Sequence, residues 1–135
     1  MRGLYVDTGV WLALLDAADP LHARARKTIE EHRSYSFLSS DRVLSETVTL
    51  LRRELGPKVA TDFGREFLEG RTGQLIQVQR ADWLRGLEII DRYGEEKVSA
   101  ADATSIAAIR RLDVEKVASF DKHFKLIVTE REVVG

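Results

Sequence analysis

The chain has 135 residues, one domain by the usual prior of roughly 100–200 residues, and its 44% hydrophobic content is enough for a substantial core. Basic and acidic side chains nearly balance, 21 against 22, so the net charge of −1 gives no broad cationic coat for nucleic acid and leaves room only for a local basic patch. The absence of cysteine excludes a disulfide framework, a thiolate zinc site, an iron–sulfur centre and a Cys nucleophile, and is compatible with a reducing cytoplasm.

Charge interrupts the first residues before a secretory apolar segment develops, and no apolar run approaches the ~18 residues of a membrane span, so no membrane partner is expected. Leu4-Tyr5-Val6, closed by Asp7-Thr8-Gly9, predicts a short buried strand, and Val10 to Leu15 a short helix. Asp19-Pro20 predicts the start of a helix running to about His32, with Asp at the cap and Pro at the first position. Tyr35 to Leu38 predicts a second strand, followed by three candidate caps, Ser39, Ser40 and Asp41. Val43, Leu44, Thr47, Val48, Leu50, Leu51 and Leu55 form the stripe of the next helix, and Gly56-Pro57 ends it and starts another carrying Val59, Ala60, Phe63, Phe67 and Leu68. Leu75, Ile76 and Val78 predict a third strand. Asp82 is expected to cap a helix that ends at Gly94, and Ser99 opens a helix rich in Ala and Ile up to Leu112. Val114 to Phe120 predicts a fourth strand and Leu126 to Val128 a short fifth.

Strands alternating with crossover-length helical stretches predict an α/β fold. The expected architecture is a single-domain three-layer α/β/α sandwich over residues 1–135, with a mostly parallel five-stranded sheet. Ligands of such folds sit at the carboxyl ends of strands. Asp7 follows the first strand directly and Asp121 the fourth, so both leave the same edge of a parallel sheet. Either acid alone reads equally well as a turn or cap residue.

Asp102 shares a helix face with Ile106 and Ile109, at i+4 and i+7. Ser99-x-x-Asp102 fits a capping box, but capping does not explain an acid on the apolar face, where a charge is costly unless paired or bound to a cation. Glu46 lies between Val43 and Leu50 on its helix, at the stripe margin, where pairing with Arg42 or Arg53 is an equal alternative. Together the four acids form a self-repelling cluster that a hard divalent cation would relieve. All-oxygen ligation favours Mg2+ or Mn2+ over zinc, and metal-activated water attacking a phosphodiester is the matching chemistry. Other phosphate-handling plans fit less well. No acid follows the third strand, Gly9 stands where a haloacid-dehalogenase-type phosphatase needs its second Asp, and there is no glycine-rich phosphate loop.

Tyr5-Val6-Asp7-Thr8, Asp19 to Ala25, Leu44-Ser45-Glu46, Ser99 to Ala103 and Ser119-Phe120-Asp121-Lys122-His123-Phe124 together carry a family resemblance. In this order the sequence resembles the PIN domain family, specifically its small stand-alone ribonucleases of VapC type. The resemblance implies that Asp7, Glu46, Asp102 and Asp121 form a catalytic metal-binding centre, with Ser119 a supporting hydroxyl beside the last acid. It also implies Mg2+ or Mn2+ as cofactor, an RNA substrate, a cytoplasmic setting, a homodimer and inhibition by a cognate antitoxin. A PIN-like RNA-processing or DNA-cutting nuclease, and a non-catalytic RNA- or protein-binding module, stay open as alternatives. For the RNA backbone, Arg42 and Lys122 rank first among the basic residues because they adjoin acid-bearing segments, ahead of Arg52, Arg53, Arg110, Arg111 and Lys125. Trp11 and Trp83 are candidates for base stacking or for the core, and the helices around Phe63, Phe67 and Trp83 for a dimer contact.

Overall fold

The computed structural model describes residues 2–135. Strands β1 (Gly3–Val6), β2 (Ser36–Ser40), β3 (Gln74–Ile76), β4 (Lys116–Ala118) and β5 (Glu132–Val134) form one parallel sheet in the order β3-β2-β1-β4-β5. Helices α1 (Thr8–Leu15) and α2 (His22–Glu31) join β1 to β2, and α3 (Asp41–Leu55) and α4 (Pro57–Leu68) join β2 to β3. Helix α5 (Arg80–Arg92), a 3-10 turn (Gly94–Glu96) and α6 (Ala100–Arg111) join β3 to β4, and α7 (Lys122–Ile127) joins β4 to β5. The first two crossovers step one way along the sheet and the last two the other way. Right-handed connections therefore place α1–α4 on one face and α5–α7 on the other. The direction changes between β1 and β4, which opens a crevice at their carboxyl ends.

Burial on both faces explains why β1 reads as an unbroken apolar run: Leu4, Tyr5 and Val6 are all fully buried. On the α1–α4 side, Trp11 packs at 5.5 Å from Phe63, 6.1 Å from Phe67 and 6.4 Å from Phe37 between ring centroids. Its Nε1 donates to Ser39 Oγ (2.9 Å), whose hydroxyl donates to Val6 O (2.6 Å), tying α1, β2 and β1 together. Trp11, Phe63 and Phe67 are thus core residues, so Trp11 is withdrawn from base stacking and the two phenylalanines from any dimer contact. On the other side α6 is buried from Ala103 to Ile109, mostly through small side chains. It packs against α5 at Gly86, where a Cβ would lie 3.0 Å from Thr104 Cγ2 and 3.1 Å from Thr104 N.

Three local expectations are corrected. Leu126 and Ile127 belong to α7 and not to a strand: Phe124, Ile127 and Val128 are buried at i, i+3 and i+4, a helical spacing that a three-residue apolar run cannot reveal. The fifth strand is instead Glu132–Val134, a partly exposed edge. Helix α2 begins at His22, since Asp19 spends its carboxylate on the Leu21 amide (2.8 Å) in a turn before the helix. Asp82 is not the cap of α5 but its third residue, and Gln79 occupies the cap in a reciprocal capping box.

Asp82 is 2% exposed and accepts hydrogen bonds from Gln79 N (2.9 Å) and from Arg111 Nε and Nη2 (2.9 Å each). Burial pushes its pKa up, but the Arg111 bonds, the Gln79 amide and the Arg111 charge outweigh it and hold the group below the usual carboxylate range. The contribution to stability is present above the unfolded Asp value of about 3.9 and is lost as pH falls through the lowered folded value. Asp82→Ala should lower the unfolding free energy by about 1–3 kcal/mol at neutral pH. Urea titrations of both proteins should show that gap closing below about pH 4.

Candidate active site

Asp7 is the residue after β1 and the cap of α1, where its backbone carbonyl accepts from Val10 N (3.1 Å) and Trp11 N (3.3 Å). Its carboxylate makes no capping bond to that helix, so the cap role does not account for it. The side chain is buried and Oδ2 accepts from Ser119 Oγ (3.0 Å). Burial raises its pKa to about 6. The Ser119 hydroxyl and the Thr8 backbone oppose the rise, and the charges of Asp121 and Glu46 add to it.

Asp102 occupies the third position of α6, the same position Asp82 holds in α5. Ser99 Oγ accepts from Asp102 N (3.0 Å), which satisfies the helix start. Asp82 has an arginine against both oxygens, whereas the charges acting on Asp102 are those of Asp7, Asp121 and Glu46. Burial first, then these three acids, raise the Asp102 pKa to about 7, against a smaller lowering by Ser99.

Asp121 caps α7, accepting from His123 N at 2.8 Å through Oδ1. Its own amide donates to Ser119 Oγ (3.0 Å). One buried hydroxyl therefore gives its hydrogen to Asp7 and takes one from the Asp121 backbone, fixing the ends of β1 and β4 against each other. A carboxylate oxygen from each of Asp102 and Asp121 and a ring nitrogen of His123 lie within 4.8 Å of one another. In the sequence His123 reads as a turn residue near the mouth of the site rather than as a donor, and the structure brings its ring to the two acids. Its signal was position: two residues past a helix-capping acid, it falls on the first turn of α7.

Glu46 is exposed on α3, outside that tight group, yet its charge bears on both Asp7 and Asp102. Helix α3 is held to the site by Thr47 Oγ1 donating to Thr8 Oγ1 (3.1 Å) and by Ser40, whose Oγ accepts from Val43 N (3.1 Å). Ser40 Oγ also lies 2.7 Å from Ser105 Oγ of α6 and 3.4 Å from the Tyr5 hydroxyl, whose pKa burial and the Asp7 charge push up, so Tyr5 stays neutral.

The basic residues divide. Arg53, Arg110 and Arg111 are paired with Glu54, Glu130 and Asp82. Arg42 is exposed and stands 5.5 Å over the Trp83 ring, and Lys122 is exposed beside Asp121. A groove of about 590 Å3 between α5 and α6 is lined by Arg85, Arg92, Arg110 and Arg111, but it includes none of the four acids, and three of these arginines are paired with acids.

The donor set fits a divalent cation: acids on four separate segments, two of them raised to about 6 and 7 by burial and one another's charge, with no basic group among the causes.

Comparison with known proteins identifies the family of the fold. The PIN domain model matches residues 4–128. The 23S rRNA-specific endonuclease VapC20 of Mycobacterium tuberculosis is 32% identical over 124 residues, covering 90% of this chain and 91% of that protein. Ribonuclease VapC26 of the same species is 25% identical over 125 residues, covering 92% and 91%. The crystal structure of VapC20, described as a sarcin-ricin loop cleaving toxin, superposes with a TM-score of 0.82 at 28% identity, covering 91% of this chain and 93% of that one. With its parallel sheet, its acids at the β1 and β4 ends and a family match over nearly its whole length, the chain belongs to the PIN domain family.

Proposed function

We propose that the chain is a metal-dependent endoribonuclease and the toxin of a toxin–antitoxin pair. The observation that carries this reading is the convergence of Asp7, Asp102 and Asp121, where no Lys or Arg acts on the two raised acids and the one basic side chain in contact is His123, beside Asp121. The named activities of VapC20 and VapC26 support RNA as the substrate. In this reading Asp7, Glu46, Asp102 and Asp121 hold Mg2+ or Mn2+. When bound, the ion lowers the pKa of the attacking water and offsets charge on the scissile phosphate. Ser119 holds the Asp7 carboxylate in one orientation, and the amino ends of α3 and α6 add partial positive charge on the side the phosphate approaches. Arg42 and Lys122 take flanking phosphates. Among the described residues no helix is long and apolar enough to cross a membrane. The reading as a toxin that cleaves RNA puts its action in the cytoplasm. The chain acts as a homodimer, for which Leu84 and Leu87, exposed one turn apart on α5, offer apolar surface.

Excess EDTA should abolish cleavage of an RNA substrate, and Asp102→Asn should reduce it at least ~100-fold, the scale of losing several kcal/mol of charge stabilisation. Because the raised pKa values of Asp7 and Asp102 mean that the metal-free fold binds protons more tightly than the unfolded chain, that stability is present below about pH 4 and is lost as pH rises through about 6 to 7. Metal-free Asp102→Asn should therefore melt no lower than the parent at pH 7.5, with its advantage vanishing toward pH 4. A drop of several degrees at pH 7.5 would assign Asp102 to structure instead.

The same anionic site should accept a guanidinium from an antitoxin, since a planar fork meets carboxylates with paired hydrogen bonds. Antitoxin affinity measured by calorimetry should fall for Asp102→Asn and be weakened by Mg2+. Indifference to both would put inhibition elsewhere. Light scattering at micromolar concentration should give twice the chain mass, and Leu84→Glu with Leu87→Glu should give the single mass. A parent protein already of single mass would remove the dimer.

A further inference from the structure

His123 is the one member of the tight group that is not an acid. Its Nδ1 stands 3.1 Å from Asp121 Oδ1, and its side chain is only 16% exposed. Two donors on neighbouring corners of an octahedral ion with bonds of ~2.1 Å lie about 3 Å apart, the bond length times √2. The 3.1 Å between the imidazole and the carboxylate is a spacing that two donors to one ion can take. The arrangement is anchored from behind. Asp121 Oδ1 also accepts from the His123 amide (2.8 Å), and the next residue, Phe124, is fully buried and stacks on Tyr5 with centroids 6.2 Å apart. The chain has three histidines. The other two face backbone carbonyls: His22 Nδ1 lies 2.7 Å from Ala13 O and His32 Nδ1 2.7 Å from Thr28 O.

We propose that His123 contributes an imidazole nitrogen to the metal centre, so that its donor set is mixed nitrogen and oxygen and the site prefers Mn2+ to Mg2+. The proposal rests on the reading that Asp102 and Asp121 hold metal. Magnesium favours oxygen and keeps its water, whereas first-row transition ions gain from an imidazole ligand. Under the rival arrangement His123 only hydrogen-bonds Asp121 and orients it. The two arrangements differ in whether a nitrogen is bonded to the ion.

The test is pulsed electron paramagnetic resonance of the metal-free full chain loaded with Mn2+, which detects a coordinated imidazole 14N directly. The expected result is a 14N coupling in the parent and in His22→Gln, absent from a folded His123→Gln. Calorimetry should show Mn2+ affinity falling by roughly 10- to 100-fold in His123→Gln, since even an outer partner of a ligand is worth that much, with Mg2+ affinity changed less. A parent that binds no Mn2+ would overturn the metal centre itself. A parent that binds Mn2+ without a 14N coupling, or a coupling that survives in His123→Gln, would overturn the role of His123 and leave the metal centre standing. Should His123→Gln not fold, the parent and His22→Gln spectra still decide: no coupling in the parent, or its loss in His22→Gln, overturns the proposal.

Discussion

Mutual repulsion among Asp7, Asp102 and Asp121 is the constraint around which the carboxyl edge of the sheet is arranged. Its significance comes from comparison within the same molecule. Asp82 and Asp102 both stand third in a helix. Asp82 is neutralised by an arginine and held below the ordinary carboxylate range, while Asp102 has no arginine or lysine against it and burial, then the charges of Asp7, Asp121 and Glu46, raise it to about 7. The fold therefore has the means to quiet a buried acid and uses them at the outer groove. At the strand ends it instead supplies neutral hydroxyls, Ser119 above all, which orient charge without cancelling it. Oriented, uncancelled negative charge is what a cation site needs and what a load-carrying core avoids.

The rest of the scaffold serves that edge. Parallel strands deliver their carboxyl ends to one side, and the change of direction between β1 and β4 keeps helices out of the gap there. The tie from Trp11 through Ser39 to Val6 secures the strand that ends in Asp7, and the Thr8–Thr47 bond secures the helix that carries Glu46. These are polar bonds inside an otherwise apolar layer. Each satisfies a group that burial would leave costly, and each also fixes a register between two elements.

How much of this was legible in the sequence varied with the range of the interaction. Strand β1, the cap Ser99, the Gly56-Pro57 junction and the positions of Asp7 and Asp121 followed from local chemistry, because caps and strand ends are set by the residues beside them, while Ser40 was one of three candidate caps that only the structure separates. The end of the chain was misread because Leu126-Ile127-Val128 is too short to show a period, and the deciding fact, burial of Phe124 with Ile127 and Val128, is tertiary. Phe63 and Phe67 gave an apolar face that suited a partner equally well, until Trp11, some 50 residues earlier, filled it. The exposure of Glu46 was likewise hidden, since a residue at a stripe margin turns in or out according to its neighbours across the fold.

Helix α6 carries a consequence for how such a protein can change over time. From Ala103 to Ile109 it is enclosed on every side, and Gly86 meets it too closely to accept a larger side chain without displacement. Drift along this helix is therefore confined to near-isosteric exchanges, and the acid at its amino end inherits that immobility. The exposed side chains of Arg42 and Lys122 are under no such restraint. Substitution can therefore run freely at such exposed positions, while the placement of Asp102 is held by the packing beneath it.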